Sequence, residues 1–190
     1  MTKQVDPNQL LMNAELIHGE TAVNRAITLM AAQLNLDYGD YGQDVNKEPP
    51  VLLCVMGGAV YFTGQLLPKL QFALELDYVQ ATRYHGTTDG KLLKWVVMPK
   101  ENIKNRLVLI LDDILDEGIT LQAIVEQCRL MGARQVKVAV LVEKLLDKNI
   151  PIVANYVGLQ VANNYVFGCG MDIYGWWRNL PAIYALKDLD

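Results

Sequence analysis

The stretch Leu107–Gln127, LVLILDDILDEGITLQAIVEQ, decides how this sequence folds. Its first five residues, LVLIL (107–111), are all apolar and predict a buried strand. TLQAIVEQCRLMG (120–132) carries apolar residues at helical spacing, and its final glycine suits the end of a helix. Four carboxylates stand between the predicted strand and the predicted helix: Asp112, Asp113, Asp116 and Glu117.

The neighbouring segments extend this unit into an α/β fold. Apolar runs predict strands at 51–55, 76–84, 92–98 and 135–142, and helical spacing predicts helices over 8–36 and 59–70, the second bent or ended by Pro68. Polar stretches rich in glycine at 37–50 and 85–91 predict loops. Strand, helix and strand in that order indicate a parallel sheet covered on both faces. Ligands of such sheets bind beyond the carboxyl ends of the strands, which is where the four acids lie.

Composition limits the class of protein. The chain has 190 residues, 52% of them hydrophobic, and a formal net charge of -4, which fits one domain and argues against a general nucleic-acid binder. No apolar run approaches the ~20 residues of a membrane span, and the N-terminus lacks a secretory pattern. We expect the three cysteines to be buried free thiols and the protein to be cytoplasmic.

The acidic turn combines two chemistries. Residues 117–120 precede the helix, and the free N–H groups of a helix start form a phosphate site to which Thr120 adds a hydroxyl. Asp112 and Asp113 suit a sugar diol, or Mg²⁺ held through water. A ribose 5-phosphate bound with a metal fits both requirements. The alternative is that Asp116 only caps the helix and that the other acids are solvated.

Four segments together resemble a known family. ILDDILDEGIT (110–120) resembles the motif with which type I phosphoribosyltransferases bind phosphoribosyl pyrophosphate (PRPP). The other three segments narrow the resemblance to the hypoxanthine-guanine phosphoribosyltransferases: VMGGAVYF (55–62), LVEKLL (141–146) and YVFGCGMDIYGWWRNL (165–180). The resemblance covers roughly residues 10–185 and implies one domain over 1–190. It also implies the type I fold, with a mostly parallel sheet flanked by helices in a core of about 50–160 and a small hood from the terminal segments.

The resemblance implies a role for each residue of the acidic turn. Asp112 and Asp113 would bind the ribose hydroxyls and water on Mg²⁺. Asp116 would lie near the purine N7 as general base or acid. The backbone of the turn would hold the 5-phosphate, through Asp116, Glu117, Gly118, Ile119 and Thr120.

Two further sites follow from the resemblance. Met56, Gly57, Gly58 and Arg178 would contact pyrophosphate, in a loop where the family often has a non-proline cis bond, here Val55–Met56. The purine site would consist of Lys144, which donates to the 6-oxo group, Tyr165, which stacks on the base, Val166, whose backbone meets its edge, and Asp172. Asp172 would also be a Mg²⁺ ligand. The lysine favours hypoxanthine and guanine over adenine.

Arg83 and Tyr84 match the start of a mobile flap over the reaction, which would exclude water. The sequence departs from the family pattern at three positions. Glu117 replaces a threonine beside the phosphate, so we expect its carboxylate to point away or to bridge to a cation. Met56 stands where a lysine is common, and Arg83 stands where a serine is common. Arg83 could therefore supply the missing positive charge.

The function implied is purine salvage. The enzyme would convert PRPP and hypoxanthine or guanine to inosine or guanosine monophosphate (IMP or GMP) and pyrophosphate, with Mg²⁺ as cofactor and as a homodimer or homotetramer. Neither nucleic acid nor membrane is an expected partner. Three alternatives stay open: a preference for xanthine, a PRPP-binding regulator that binds nucleic acid, and a sensor without turnover.

Overall fold

A computed structural model of the protein describes residues 6–41, 48–83 and 93–187. Four α-helices and nine strands are assigned there, besides two short 3-10 helices at Leu67–Lys69 and Glu101–Ile103. The helices are α1 (Pro7–Met12), α2 (Glu20–Tyr38), α3 (Ala59–Leu66) and α4 (Ile119–Leu130). The strands are β1 (Ala14–His18), β2 (Val51–Val55), β3 (Glu75–Arg83), β4 (Leu93–Val97), β5 (Leu107–Leu115), β6 (Gln135–Lys144), β7 (Tyr156–Val161), β8 (Val166–Phe167) and β9 (Ile183–Leu186).

The central sheet has six strands in the order β4-β3-β2-β5-β6-β7. Five of the strands, β3, β2, β5, β6 and β7, run parallel to one another, and the edge strand β4 runs antiparallel to β3. β5 lies in the middle, and its first six residues are all buried. This confirms the predicted α/β class with a mostly parallel sheet. It also puts the carboxyl ends of β2, β5 and β6 side by side.

Helices cover both faces of the sheet, as the continuous apolar strands predict. On one face, α2 and α3 share a buried cluster with Leu107, Leu109 and Leu111 of β5, to which they contribute side chains such as Ile27 and Phe62. On the other face, α4 packs in a cluster with Val108 and Ile110 through Leu121, Ile124 and Cys128. The apolar side of α4 is therefore buried, which fixes its N-terminus at the end of β5.

The prediction of a single helix over 8–36 is wrong. The short helix α1 ends at Met12, and Ala14–His18 forms a strand that pairs antiparallel with β9. With β8, these strands form a separate three-stranded sheet in the order β1-β9-β8. The partner of β1 lies at the far end of the chain, so the pairing that overrides the local helical pattern is not visible in a short window of sequence.

Smaller boundaries also differ from the prediction. α3 ends at Leu66, and Pro68 lies in the 3-10 helix that follows, so the proline region does end the α-helix. β5 continues to Leu115, so Asp112 and Asp113 belong to the strand and do not follow it. All three cysteines are free and buried, as expected. None of the helices in the described ranges has the length and apolar character needed to cross a membrane.

Candidate active site

The turn between β5 and α4 is built around Gly118. Its φ of 74° lies in the left-handed region that favours glycine, and a Cβ there would lie 2.7 Å from Ile152 Cγ2. α4 begins at Ile119, and the Gly118 carbonyl accepts a hydrogen bond of 2.8 Å from the Gln122 N–H. The N–H groups of the first helical turn therefore have no helical partner and carry the positive end of the helix dipole.

Asp112 and Asp113 are two neighbouring carboxyl groups at the carboxyl end of β5. Burial raises the pKa of Asp112 well above the usual carboxyl range, and the charge of Asp113 raises it further. Burial also raises the pKa of Asp113, while hydrogen bonds and the nearby Arg178 guanidinium oppose that rise. The two carboxyl groups therefore repel each other, and a positively charged ligand would relieve that repulsion.

Residues 56–58 form a tight loop between β2 and α3, against the same carboxyl groups. A Cβ on Gly58 would lie 1.9 Å from Asp113 Oδ2, so this carboxylate lies directly on the loop backbone. The cis peptide bond of the loop is Met56–Gly57 and not the expected Val55–Met56. The sequence alone does not determine which bond of the loop is cis.

The C-terminal segment closes on this loop through Gly170 and Arg178. A Cβ on Gly170 would lie 1.9 Å from the Gly58 carbonyl oxygen. Arg178 Nη1 donates to the Gly170 carbonyl at 2.7 Å, and Nη2 lies 2.5 Å from Asp172 Oδ1. The other oxygen of Asp172 accepts from the Gly175 N–H at 2.8 Å. Arg178 and Asp172, which are distant in sequence from residues 56–58, are thus held beside that loop.

Lys144 ends β6 and reaches the acidic turn. Its Nζ lies 2.8 Å from Asp116 Oδ2, and its side chain is only 11% exposed. Glu117, the next residue of the turn, forms an ion pair of 2.7 Å between its Oε1 and Lys148 Nζ. The expectation that Glu117 would bridge to a cation is therefore confirmed.

Two adjoining cavities meet at Asp113, Ile114 and Asp116. The first, of about 190 Å³, is lined by the acidic turn and the start of α4: Asp112, Asp113, Ile114, Asp116, Glu117, Gly118, Thr120 and Leu121. The second, of about 200 Å³, extends toward β6 and the C-terminal segment, and is lined by Asp113, Ile114, Asp116, Lys144, Tyr165, Val166, Met171 and Asp172. Tyr165 is 56% exposed, and its hydroxyl donates to the Asp172 carbonyl at 3.2 Å. Ile119, the first residue of α4, lies in the sequence between Gly118 and Thr120, which line the first cavity.

The structure thus brings together most of the residues singled out in the sequence. Two of them are not described by the structure: Tyr84 and the side chain of Arg83. The backbone of Arg83 is described and ends β3. Sequence reasoning missed Gly170 and Lys148. Gly168 and Gly170 flank Cys169, and all three residues have positive φ. The sequence pattern GCG could therefore have pointed to Gly170. Lys148 had no local signal, because it lies in a loop and its partner is 31 positions away.

The donor set at this site is compatible with Mg²⁺. Within residues 6–41, 48–83 and 93–187, no three His, Cys, Asp or Glu side chains converge closely enough to hold a metal by themselves. Asp112, Asp113 and Asp172 nevertheless offer carboxylate oxygens, the hard donors that Mg²⁺ uses singly or in pairs, with water and a substrate phosphate completing its shell. Burial raises the pKa of both Asp112 and Asp113, and a cation bound beside them would favour their charged forms.

Comparison with known protein families places the chain near one of them. A family profile described as a phosphoribosyl transferase domain matches residues 14–173. Among curated proteins, a hypoxanthine-guanine-xanthine phosphoribosyltransferase of Tritrichomonas foetus is 34% identical over 176 residues, which cover 91% of each chain. A hypoxanthine-guanine phosphoribosyltransferase of Streptococcus pyogenes is 30% identical over 178 residues, which cover 92% of this chain and 93% of that protein.

Solved structures agree with the sequence comparisons. The crystal structure of a hypoxanthine phosphoribosyltransferase from Staphylococcus aureus superimposes with a TM-score of 0.81 at 28% identity, and the match covers 98% of this chain and 97% of that one. A hypoxanthine-guanine-xanthine phosphoribosyltransferase structure superimposes with a TM-score of 0.78 at 30% identity over 92% of this chain and 97% of that one. The matched regions therefore span the strands of both sheets.

Proposed function

The chain belongs to the phosphoribosyltransferase family, and from this premise we propose that it transfers the 5-phosphoribosyl group of PRPP to hypoxanthine or guanine in purine salvage. In this reaction the bond between ribose C1 and pyrophosphate breaks, and a bond between C1 and purine N9 forms. The products are IMP or GMP and pyrophosphate. The chain is thus a glycosyltransferase of the pentosyl-transferring kind.

The observation that carries this proposal is the position of Asp116, which borders both cavities. A ribose 5-phosphate in the first cavity and a purine in the second would meet beside this carboxylate. Asp116 can then accept or return a proton at purine N7 while N9 attacks C1. Attack is easier as the base loses a proton, because the attacking nitrogen then gains electron density.

The first cavity would take the ribose 5-phosphate. The free N–H groups at the start of α4, with the Thr120 hydroxyl, would bind the phosphate, and the helix dipole favours its negative charge. Asp112 and Asp113 would accept hydrogen bonds from the two ribose hydroxyls. Mg²⁺, when bound with these carboxylates and Asp172, would supply charge neutralisation for the departing pyrophosphate.

The loop 56–58 and Arg178 would hold pyrophosphate. Gly58 leaves the loop backbone open to close approach, because it has no side chain. Arg178 already contacts the loop region through Gly170, and its guanidinium suits a phosphate oxygen pair. Met56 brings no charge to this loop.

The second cavity would take the purine. Lys144 would donate to the 6-oxo group, which favours hypoxanthine and guanine and disfavours the 6-amino group of adenine. Tyr165 would stack on the base, and the backbone of Val166 and Asp172 would meet its edge. Arg83 and Tyr84 are proposed as part of a flap, and the three-stranded sheet from the two ends of the chain as the hood.

The family and one surface together support a homo-oligomer, a homodimer or homotetramer. A cavity of about 350 Å³ beside the loop 56–58 has an almost wholly apolar lining that includes Met56, Val60 and Leu76, three exposed apolar side chains. A second copy of the chain would cover this surface. A cytoplasmic location is consistent with three cysteines that remain free thiols.

The test is a turnover assay with PRPP and Mg²⁺ and with hypoxanthine, guanine, xanthine and adenine offered in parallel. We expect conversion of hypoxanthine and guanine, no conversion of adenine, and loss of turnover when EDTA removes Mg²⁺. Fast conversion of xanthine alone would change the assigned base. If PRPP bound without turnover of any base, the chain would be a PRPP-binding regulator or sensor and not an enzyme.

A further inference from the structure

Three successive residues of the acidic turn each contact one segment, residues 144–152, which begins at the last residue of β6. Asp116 pairs with Lys144, and Glu117 pairs with Lys148. Gly118 lies against Ile152, since a Cβ on this glycine would be 2.7 Å from Ile152 Cγ2. The contacts advance by four residues in the segment for each residue of the turn. The segment therefore holds the turn from its outer side.

Glu117 poses an electrostatic problem at this position. Glu117 lines the cavity proposed for the ribose 5-phosphate, next to Gly118 and Thr120. A carboxylate so close to a phosphate repels it, and solvent and salt weaken this repulsion without removing it, because the Glu117 side chain is 39% exposed. The positive end of the α4 dipole attracts the phosphate, and a negatively charged Glu117 without a neutralising cation would weaken this attraction.

Lys148 is placed to remove this opposition. Its Nζ lies 2.7 Å from Glu117 Oε1, and Lys148 lines a different cavity of about 430 Å³. We call this one the outer cavity and the cavity proposed for the ribose 5-phosphate the inner cavity. Glu117 lines both cavities. Among the described residues, the inner cavity is lined only by residues between Asp112 and Leu121, so Lys148 does not line it. Lys148 can therefore influence the inner cavity through its ion pair with Glu117.

We propose that Lys148 is a positioning residue for the 5-phosphate of PRPP: it neutralises Glu117 and holds its carboxylate toward the outer cavity. The inference rests on the proposed function, because it concerns the phosphate of that substrate. It adds a residue outside the acidic turn to the determinants of PRPP affinity. The effect passes through Glu117, and Lys148 itself does not touch the substrate.

The experiment compares Lys148→Met, Glu117→Gln and the double variant E117Q/K148M in steady-state assays at about 0.01 M ionic strength, where charges interact over about 30 Å. Lys148→Met should raise the KM for PRPP by about two- to fivefold, in line with an exposed ion pair, and leave kcat and the KM for hypoxanthine unchanged. The double variant should return the KM for PRPP to the wild-type value, because the neutral amide no longer repels the phosphate. Added salt should shrink the effect of Lys148→Met.

Lys104→Met is the control, since Lys104 is an exposed lysine before the opposite end of β5. An unchanged KM for PRPP in Lys148→Met would overturn the inference. So would a double variant as impaired as Lys148→Met, because Lys148 would then act on the phosphate directly or through the fold. Both outcomes presuppose a wild-type enzyme that turns over, so they are distinct from failure of the proposed function, in which the wild type itself is inactive.

Discussion

Lys144 and Asp116 form an ion pair of 2.8 Å across the carboxyl ends of two neighbouring parallel strands. Asp116 borders both cavities proposed for ribose phosphate and purine, and Lys144 lines the second of them. Both residues are proposed to contact the base, one at the 6-oxo group and the other at N7. A bound purine must therefore replace this ion pair with two hydrogen bonds of its own, and each residue orients the other until the base arrives.

Asp116→Asn tests the proton-transfer role. An amide keeps the size of the side chain but cannot take a proton from N7, so we expect kcat to fall by about 10²- to 10⁴-fold. The KM for PRPP should change by less than about threefold, because the backbone N–H groups that bind the phosphate remain. Steady-state kinetics with hypoxanthine and PRPP measure both values.

The control for this change is Asp147→Asn, which alters an exposed acid that lines the outer cavity. It should leave kcat near the wild-type value. An Asp116→Asn variant with normal kcat and a raised KM for PRPP would limit Asp116 to binding and would remove the general-base assignment.

Lys144→Met tests the recognition of the 6-oxo group. A hydrogen bond to a charged donor contributes about 1.5–3 kcal/mol, so the KM for hypoxanthine should rise by roughly 10- to 100-fold. The KM for PRPP should change far less, because Lys144 lines the second cavity and not the first. Lys137→Met, on the same strand β6, is the control. Equal losses for hypoxanthine and PRPP would instead indicate a general collapse of the acidic turn.

The sheet and the acidic turn could be predicted from the sequence because their signals are local. LVLIL predicts a buried strand and TLQAIVEQCRL an amphipathic helix within windows of five and eleven residues. Leu121, Ile124, Val125 and Cys128 do form the buried side of α4. These patterns fix the order of β5, the turn and α4, and so the place of the four acids.

The features that the sequence did not predict depend on contacts between distant parts of the chain. β1 is a strand because β9, more than 160 positions away, pairs with it. The pair of Glu117 with Lys148 and the approach of Gly170 to Gly58 likewise join segments that no short pattern connects. Such contacts are set by tertiary packing, which overrides local preference and leaves no trace in spacing.

Asp112→Asn should make the protein more stable at high pH. The folded state raises the pKa of Asp112 above the value of about 3.9 in an unfolded chain. The native state therefore keeps a proton that the unfolded state has lost, and stability falls as pH rises from the unfolded pKa to the folded one. Asparagine is neutral throughout, and its Oδ1 can still accept from the Asp113 N–H, as Asp112 Oδ1 does at 3.0 Å.

We expect the free energy of unfolding of Asp112→Asn to exceed that of the wild type by about 0.5–2 kcal/mol at pH 8, with a smaller difference at pH 5. Urea unfolding at the two pH values measures it. Activity should fall at the same time, because the ribose hydroxyls lose an anionic acceptor. Parallel stability curves for the two proteins across this range would contradict a raised pKa at Asp112.

Gly58→Ala should disrupt the contact between the loop 56–58 and β5. A Cβ at this position would lie 1.9 Å from Asp113 Oδ2 and 2.4 Å from Asp113 Cγ, so the carboxylate or the loop must move. The Gly58 carbonyl also lies against Gly170, which restricts movement of the loop. We expect a loss of about 1–3 kcal/mol in the free energy of unfolding, the usual cost of overpacking, measured by urea unfolding.

The same change should lower kcat/KM for PRPP by at least about tenfold, since a displacement of about 1 Å in a reacting site can cost more than that. Gly19→Ala is the matched control, because no atom lies within 4 Å of a Cβ there and this glycine stands at the start of α2, away from the turn. If Gly58→Ala kept the wild-type kcat/KM for PRPP, the Asp113 carboxylate could move without a loss of activity. Its proposed contact with the ribose hydroxyls would then be withdrawn, while Asp112 would keep its own.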